Sequence, residues 1–197
     1  MNNIHYASIR NLDISNGEGI GVALFVQGCH FHCYNCFNTE TWDFNGGKEW
    51  TPEVEDKFIE LASRPYIKRI SLLGGEPLAD ENLDGVLHLV DRFRLSLPNK
   101  TIWLYTGYEV NLESYEILTI GKEYAKTRYE FTTTQPSRSN TANFLRKSIL
   151  NNVDVLVDGR YIDSQRDVNL KWRGSKNQRV IDIKQSLQKG KVTLWTE

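Results

Sequence analysis

Apolar positions along the chain come in two kinds of run, short continuous blocks and longer stretches spaced for a helix. Residues 20–27 are nearly all apolar, as in a strand covered on both faces. Thr51 before Pro52 predicts a helix start, a hydroxyl cap followed by proline at the first helical position. Glu53, Glu55 and Asp56 then place negative charge where the helix dipole favours it. Val54, Phe58, Leu61 and Ala62 form that helix's apolar face, and Pro65 closes it. Residues 69–73 predict a second strand running into a glycine turn. Residues 82–97 predict a helix with Leu83, Val86, Leu87, Val90, Phe93 and Leu97 inward, ended by Pro98. A third strand is predicted over 101–105 and a short helix over 111–120. From 121 to 141 the pattern dissolves into polar residues, which predicts a solvated loop or insertion. A helix over 142–150 and strands over 153–157 and 180–183 complete the series. This alternation predicts an α/β fold with a mainly parallel sheet. With no repeat and no dividing linker, 1–197 reads as one domain.

Composition narrows the function classes. The net charge of −1 gives no basic field that would recommend nucleic acid as a partner. No apolar run approaches the roughly 20 residues needed to cross a bilayer, so no membrane partner is expected. The first residues lack the basic and apolar regions of a secretory signal. Free cysteines without such a signal point to the reducing cytoplasm.

The chain's 3 cysteines fall at Cys29, Cys33 and Cys36, a C-x3-C-x2-C loop directly after the first apolar strand. A four-iron cubane normally takes four thiolates; three would leave one iron free to bind something exogenous. Zinc is the alternative, with three cysteines and a histidine from His30, His32 or His5. Structural zinc sites more often show two separated ligand pairs, and no second pair occurs here. A disulfide with a spare thiol makes a poor framework. An added histidine ligand would occupy the free iron, so His30 and His32 read as packing or hydrogen-bonding residues around the loop.

Further blocks extend the pattern: Asn16-Gly17-Glu18-Gly19, Phe25-Val26-Gln27-Gly28-Cys29, Cys36-Phe37-Asn38, Glu40-Thr41-Trp42-Asp43, Leu73-Gly74-Gly75-Glu76-Pro77, Tyr105-Thr106-Gly107-Tyr108, Asp154-Val155-Leu156-Val157-Asp158-Gly159 and Arg173-Gly174-Ser175-Lys176-Asn177-Gln178. In this order they resemble the radical S-adenosylmethionine superfamily, and within it the activating proteins of anaerobic ribonucleoside-triphosphate reductases. The 121–141 stretch is longer than that resemblance leads one to expect.

The resemblance implies a partial (βα) barrel and a [4Fe-4S] cluster held by Cys29, Cys33 and Cys36. It also implies S-adenosylmethionine, chelated to the free iron through its amine and carboxylate. Gly74, Gly75 and Glu76 would hold the methionyl amine, while Asn35, Cys36 and Phe37 would lie against the adenine. Thr106 is a candidate for the nucleoside and Asp158 for a ribose hydroxyl or a cation; either could equally only shape a turn. Phe37 could equally be a core aromatic. No side chain is expected to be catalytic, since cluster and cofactor carry the chemistry. The implied reaction is hydrogen abstraction from a glycine of the reductase by a 5′-deoxyadenosyl radical. Its implied electron source is a low-potential donor such as flavodoxin or ferredoxin. An activator of the pyruvate formate-lyase type and a non-catalytic zinc module are the rival readings. The basic run 171–179 is either a solvated face or a docking element.

Overall fold

The computed structural model describes residues 4–113, 128–132 and 140–196. Among them are the strands β1 (His5–Asp13), β2 (Gly21–Val26), β3 (Lys48–Glu49), β4 (Arg69–Gly74), β5 (Thr101–Tyr105), β6 (Glu109–Glu113), β7 (Arg128–Thr132), β8 (Val155–Asp158) and β9 (Arg179–Asp182). The helices are α1 (Pro52–Ser63), α2 (Leu83–Ser96), α3 (Asn140–Asn152) and α4 (Ile183–Lys189). Seven strands form one sheet in the order β3-β1-β2-β4-β5-β8-β9. Its centre, β2-β4-β5-β8, is parallel. Its edges, β1 and β3 on one side and β9 on the other, are antiparallel. The fold is therefore α/β with a mixed sheet around a parallel centre.

Successive strand residues point to opposite faces, and this sheet uses the two faces differently. Val22, Leu24, Val26, Ile70, Leu72, Ile102, Leu104, Leu156 and Ile181 join Phe58, Leu89, Phe93 and Ile149 from the helices in the main core. Their alternates, Phe25 and Leu73 with Ala23, and Trp103, Val155, Val157 and Val180, make two smaller clusters on the other face. There Trp103 meets Trp172 and Trp195 edge-on. Emptying a site such as the fully buried Phe93 would cost about 3–5 kcal/mol.

The local signals act as expected at α1. Thr51 Oγ1 accepts the N–H of Val54 and Pro52 opens the helix. Asn82 precedes α2 without capping it; its amide donates to Gln27 O and Glu76 O, each at 2.9 Å, and so pins the end of β2 to the turn after β4.

Several boundaries differ from the sequence reading. The helix expected over 111–120 is not formed at its start: 109–113 is β6, paired antiparallel with β7. Residues 114–120 lie outside the described part. The 121–141 loop contains β7 and the start of α3; 121–127 and 133–139 are outside the described residues. Ile183, read as the end of a strand, begins α4, because Asp182 turns the chain by accepting the N–H of Gln185. Among the described residues no helix is long and apolar enough to cross a membrane.

Candidate metal and cofactor site

The parallel strands β2, β4 and β5 run in one direction, so the segments that follow them emerge at a common end of the sheet. After β2 comes the cysteine loop, after β4 the Gly-Gly-Glu turn, and after β5 Thr106-Gly107-Tyr108. Backbone bonds stitch the first two together. Gly75 N–H donates to Val26 O at 2.9 Å and Glu76 N–H to Gly28 O at 2.7 Å, while Cys29 N–H donates to Trp42 O at 3.1 Å. Gly74 sits at φ +106°, where a Cβ would lie 2.7 Å from Phe25 Cα. The chain can make this close, left-handed passage only without a side chain.

The three cysteines are half-buried free thiols, and all three line one cavity of about 580 Å3. Leu73, Gly74, Gly75, Glu76, Thr106, Gly107 and Gly159 line it too. Among the described residues no three His, Cys, Asp or Glu side chains are gathered as around a single ion; the thiols border a cavity and do not converge on a point. His30 bonds Glu81 at 2.9 Å and packs on Phe44, and His32 stacks on Trp42. Both histidines thus fasten the loop.

Burial pushes the Cys29 thiol up to about 12, and the nearby Glu76 charge adds to it. A bare thiolate there is costly, whereas one bound to iron has its charge offset. Donor type and placement therefore fit an iron–sulfur cluster.

Glu76 is almost fully buried. Its Oε1 accepts from Thr106 Oγ1 at 2.7 Å and Leu78 N–H at 2.9 Å, and its Oε2 from Gly107 N–H at 2.7 Å. Burial nevertheless raises its carboxyl to about 7 against these hydrogen bonds and the Arg146 charge, which lower it. The Thr-Gly-Tyr block thus has a dual use. Thr106 and Gly107 cradle Glu76, and Tyr108 packs edge-on against Phe31 of the cysteine loop at 5.0 Å.

The other candidates separate. Phe37 is not a core aromatic: it is 59% exposed, lines the cavity and stacks obliquely on Tyr161, with the Arg166 guanidinium 5.2 Å from its ring. Asn35 lies outside the cavity lining, at φ +53°, with its amide on Asp163 Oδ2 at 3.2 Å. Asp158 is also outside it. Its buried carboxylate pairs with Arg179 and accepts the N–H of Val110 at 2.9 Å. Both carboxylate oxygens are thus engaged within the protein at the end of β8.

The Arg-Gly-Ser-x-Asn-Gln block is not a simple solvated face. Gln178 Oε1 accepts from Gly174 N–H and Ser175 N–H, and its Nε2 donates to Gly159 O at 2.9 Å. Asn177 Nδ2 donates to Arg160 O at 2.8 Å, and Ser175 is fully buried. The block clasps the segment after β8, bringing Arg160 to the cysteine loop. Sequence reasoning passed over Arg160, which is 127 positions from the thiol it reaches.

A parallel-centred sheet ending in a thiol-lined cavity defines a class, and comparison with known proteins agrees. Residues 15–181 match the family described as "4Fe-4S single cluster domain", which makes this an iron–sulfur domain. Curated relatives specify it further. The chain is 37% identical over 177 residues to the anaerobic ribonucleoside-triphosphate reductase-activating protein of Vibrio cholerae, covering 89% of this chain and 96% of the relative. It is 34% identical to the Escherichia coli protein of that name, with the same coverage. The Enterobacteria phage T4 protein of that name is 30% identical, over 90% of this chain and 93% of the relative. The chain belongs to the family of anaerobic ribonucleoside-triphosphate reductase-activating proteins.

Proposed function

We propose that this protein activates an anaerobic ribonucleoside-triphosphate reductase by generating a glycyl radical on it. The observation that carries the reading is the shared cavity at one end of the parallel strands, where three thiols meet the Gly-Gly-Glu turn. Cys29, Cys33 and Cys36 would each hold one iron of a four-iron cluster, leaving the fourth without a protein ligand. Bound there, the cluster would supply one electron to S-adenosylmethionine, cleaving it to methionine and the 5′-deoxyadenosyl radical that abstracts the glycine hydrogen.

The protein's own residues bind, orient and shield. Glu76, short of positive charge, is suited to accept the N–H bonds of the methionyl amine. Gly74 and Gly75 leave backbone room beside it. Phe37 offers an apolar ring to the adenine, next to the backbone of Asn35 and Cys36. Thr106 would act through Glu76, and Asp158 through the ion pair that fixes the end of β8, so neither is assigned a direct cofactor contact. In this reading the chain is one catalytic domain, its parallel strands the wall of a partial barrel with helices on the outer side. It works in the cytoplasm with the reductase and a donor such as flavodoxin or ferredoxin, and with neither nucleic acid nor membrane.

The test is to mix anaerobically reduced, cluster-loaded protein with S-adenosylmethionine and the reductase and record electron paramagnetic resonance spectra. A glycyl-radical doublet is expected. Its absence, with an intact cluster and cofactor turnover, refutes the assigned substrate. Replacing Cys29, Cys33 or Cys36 singly by alanine should abolish both the radical and stoichiometric four-iron loading. One fully active single variant would overturn the ligand set.

A further inference from the structure

We propose that Arg160 is a positioning residue for the cluster: its guanidinium hydrogen-bonds the Cys33 sulfur and raises the cluster's reduction potential. The inference rests on the cluster reading above and goes beyond it. Arg160 Nε donates to Cys33 Sγ at 3.4 Å, and Arg160 NH2 donates to Phe31 O at 2.5 Å. The guanidinium carbon lies 5.8 Å from the centre of the Phe31 ring. One side chain thus grips the cysteine loop at its middle ligand and two residues before it.

A second observation explains how a long, solvent-facing side chain is held there. Asn177 Nδ2 donates to the backbone carbonyl of Arg160 at 2.8 Å. Ser175 Oγ bonds Asn177 Oδ1 at 2.7 Å, and Gln178 fastens the preceding residue, Gly159. The Arg-Gly-Ser-x-Asn-Gln block therefore does a definite job: it fixes the backbone from which Arg160 reaches across to the loop. Tethering at its base fixes the backbone in advance, so the contact costs chiefly the side chain's own rotamer freedom.

The physical consequence concerns electron transfer. Each one-electron reduction adds negative charge to the cluster and its thiolates. Hydrogen bonds to sulfur and nearby positive charge stabilise the reduced form, which moves the potential upward. Cys33 receives both from Arg160. For a cluster that must be reduced by a cellular donor, this eases the step that precedes cofactor cleavage.

The experiment is a redox titration of anaerobically purified protein, followed by the reduced cluster's electron paramagnetic resonance signal, with iron counted in each sample. Arg160→Met removes the donor and the charge but keeps an apolar stem over Phe31. It should lower the reduction equilibrium about tenfold, ~59 mV for one electron, without loss of iron. Arg160→Lys should recover most of that shift. Asn177→Ala, which leaves the guanidinium but frees its base, should shift the potential in the same direction by about two- to threefold, a fraction of the Arg160→Met effect. If Arg160→Met cannot hold four irons, the Asn177→Ala potential decides. Potentials equal to the parent in the titratable variants overturn the proposal, showing that the clasp only packs the loop. A parent protein with no four-iron signal would instead remove the cluster reading itself, so the two failures are distinct.

Discussion

Two carboxylates, Glu76 just after β4 and Asp158 at the end of β8, stand at the same end of the parallel centre with β5 between their strands, both almost completely shut off from water. Their surroundings diverge. Asp158 has a cation in place, the Arg179 guanidinium, which bonds both of its oxygens. The described hydrogen-bond donors to the Glu76 carboxylate are all neutral: a hydroxyl and two backbone N–H groups. Arg146 acts on it through charge, and burial still lifts its carboxyl to about 7. A buried carboxylate paired within the protein is a finished structural element. One supplied with neutral donors and left near neutrality is prepared for a positively polarised group from outside. The position of each relative to the cavity agrees, since Glu76 lines it and Asp158 does not.

The sharpest way to break this contrast is to neutralise each carboxylate in turn. Asp158→Asn leaves Arg179 without its partner and should cost about 2–4 kcal/mol of stability in thermal or denaturant unfolding. The upper end for fully buried pairs is not expected, because the Arg179 side chain is 33% exposed. S-adenosylmethionine binding by the folded fraction should be unchanged. Glu76→Gln should do the reverse, melting near the parent while affinity, measured by titration calorimetry on cluster-loaded protein, falls by about 100-fold or more. Equal losses of affinity in the two variants would erase the distinction.

The sequence announced this site better than it announced the edges that frame it. β2 and β5 were legible because burial on both faces writes a nearly continuous apolar run, and β4, interrupted by the buried Arg69 and Ser71, because Ile70, Leu72 and Leu73 run into a glycine turn. β1 was not: it lies outside the parallel centre, covered on its outer side only by the two-residue β3, with mostly exposed or half-exposed residues and a polar composition. Among the described residues β6 pairs with β7 alone, so 109–113 lack the run that marks a central strand, and 111–113 fall within the helix that the sequence predicts. For α4 a signal existed and was passed over, Asp182 three residues before Gln185 at one end and the left-handed Gly190 at the other. Cys29, Cys33, Cys36 and Glu76 could be proposed because local spacing or a strand-end turn sets them apart. The pairing of Asp158 with Arg179, and of Arg160 with Cys33, depends on tertiary approach, which no local pattern encodes.

A smaller effect sharpens the contrast by titration. In cluster-free protein the Glu76 carboxyl should ionise with a midpoint near its raised value of about 7, visible as loss of a carboxyl stretching band in infrared difference spectra. Its absence from Glu76→Gln would assign the band. Because the ionised form is the one that accepts N–H bonds, S-adenosylmethionine binding should draw the midpoint of the cluster-loaded protein down by about 1–3 pH units. Affinity should correspondingly weaken as pH falls through the neutral range. A bound-state midpoint no lower than the free one would show that the cofactor's amine does not face this carboxylate.

The mildest perturbation is Thr106→Val, which deletes one of the three donors while keeping the side chain's shape. The hydroxyl donates to Glu76 Oε1 and also accepts the N–H of Tyr108 at 3.1 Å. Its loss should cost about 1 kcal/mol at the carboxylate. Since the bond favours the ionised form, the free-state midpoint should rise by about 0.7 of a pH unit. Near neutral pH less of the carboxylate is then ready to accept the amine, and affinity should drop about threefold. Thr106→Ser, which restores the hydroxyl, should return both values toward the parent. A Thr106→Val protein with an unchanged midpoint but weakened binding would mean that Thr106 touches the cofactor itself, a different role from the support of Glu76 that its hydrogen bonds describe.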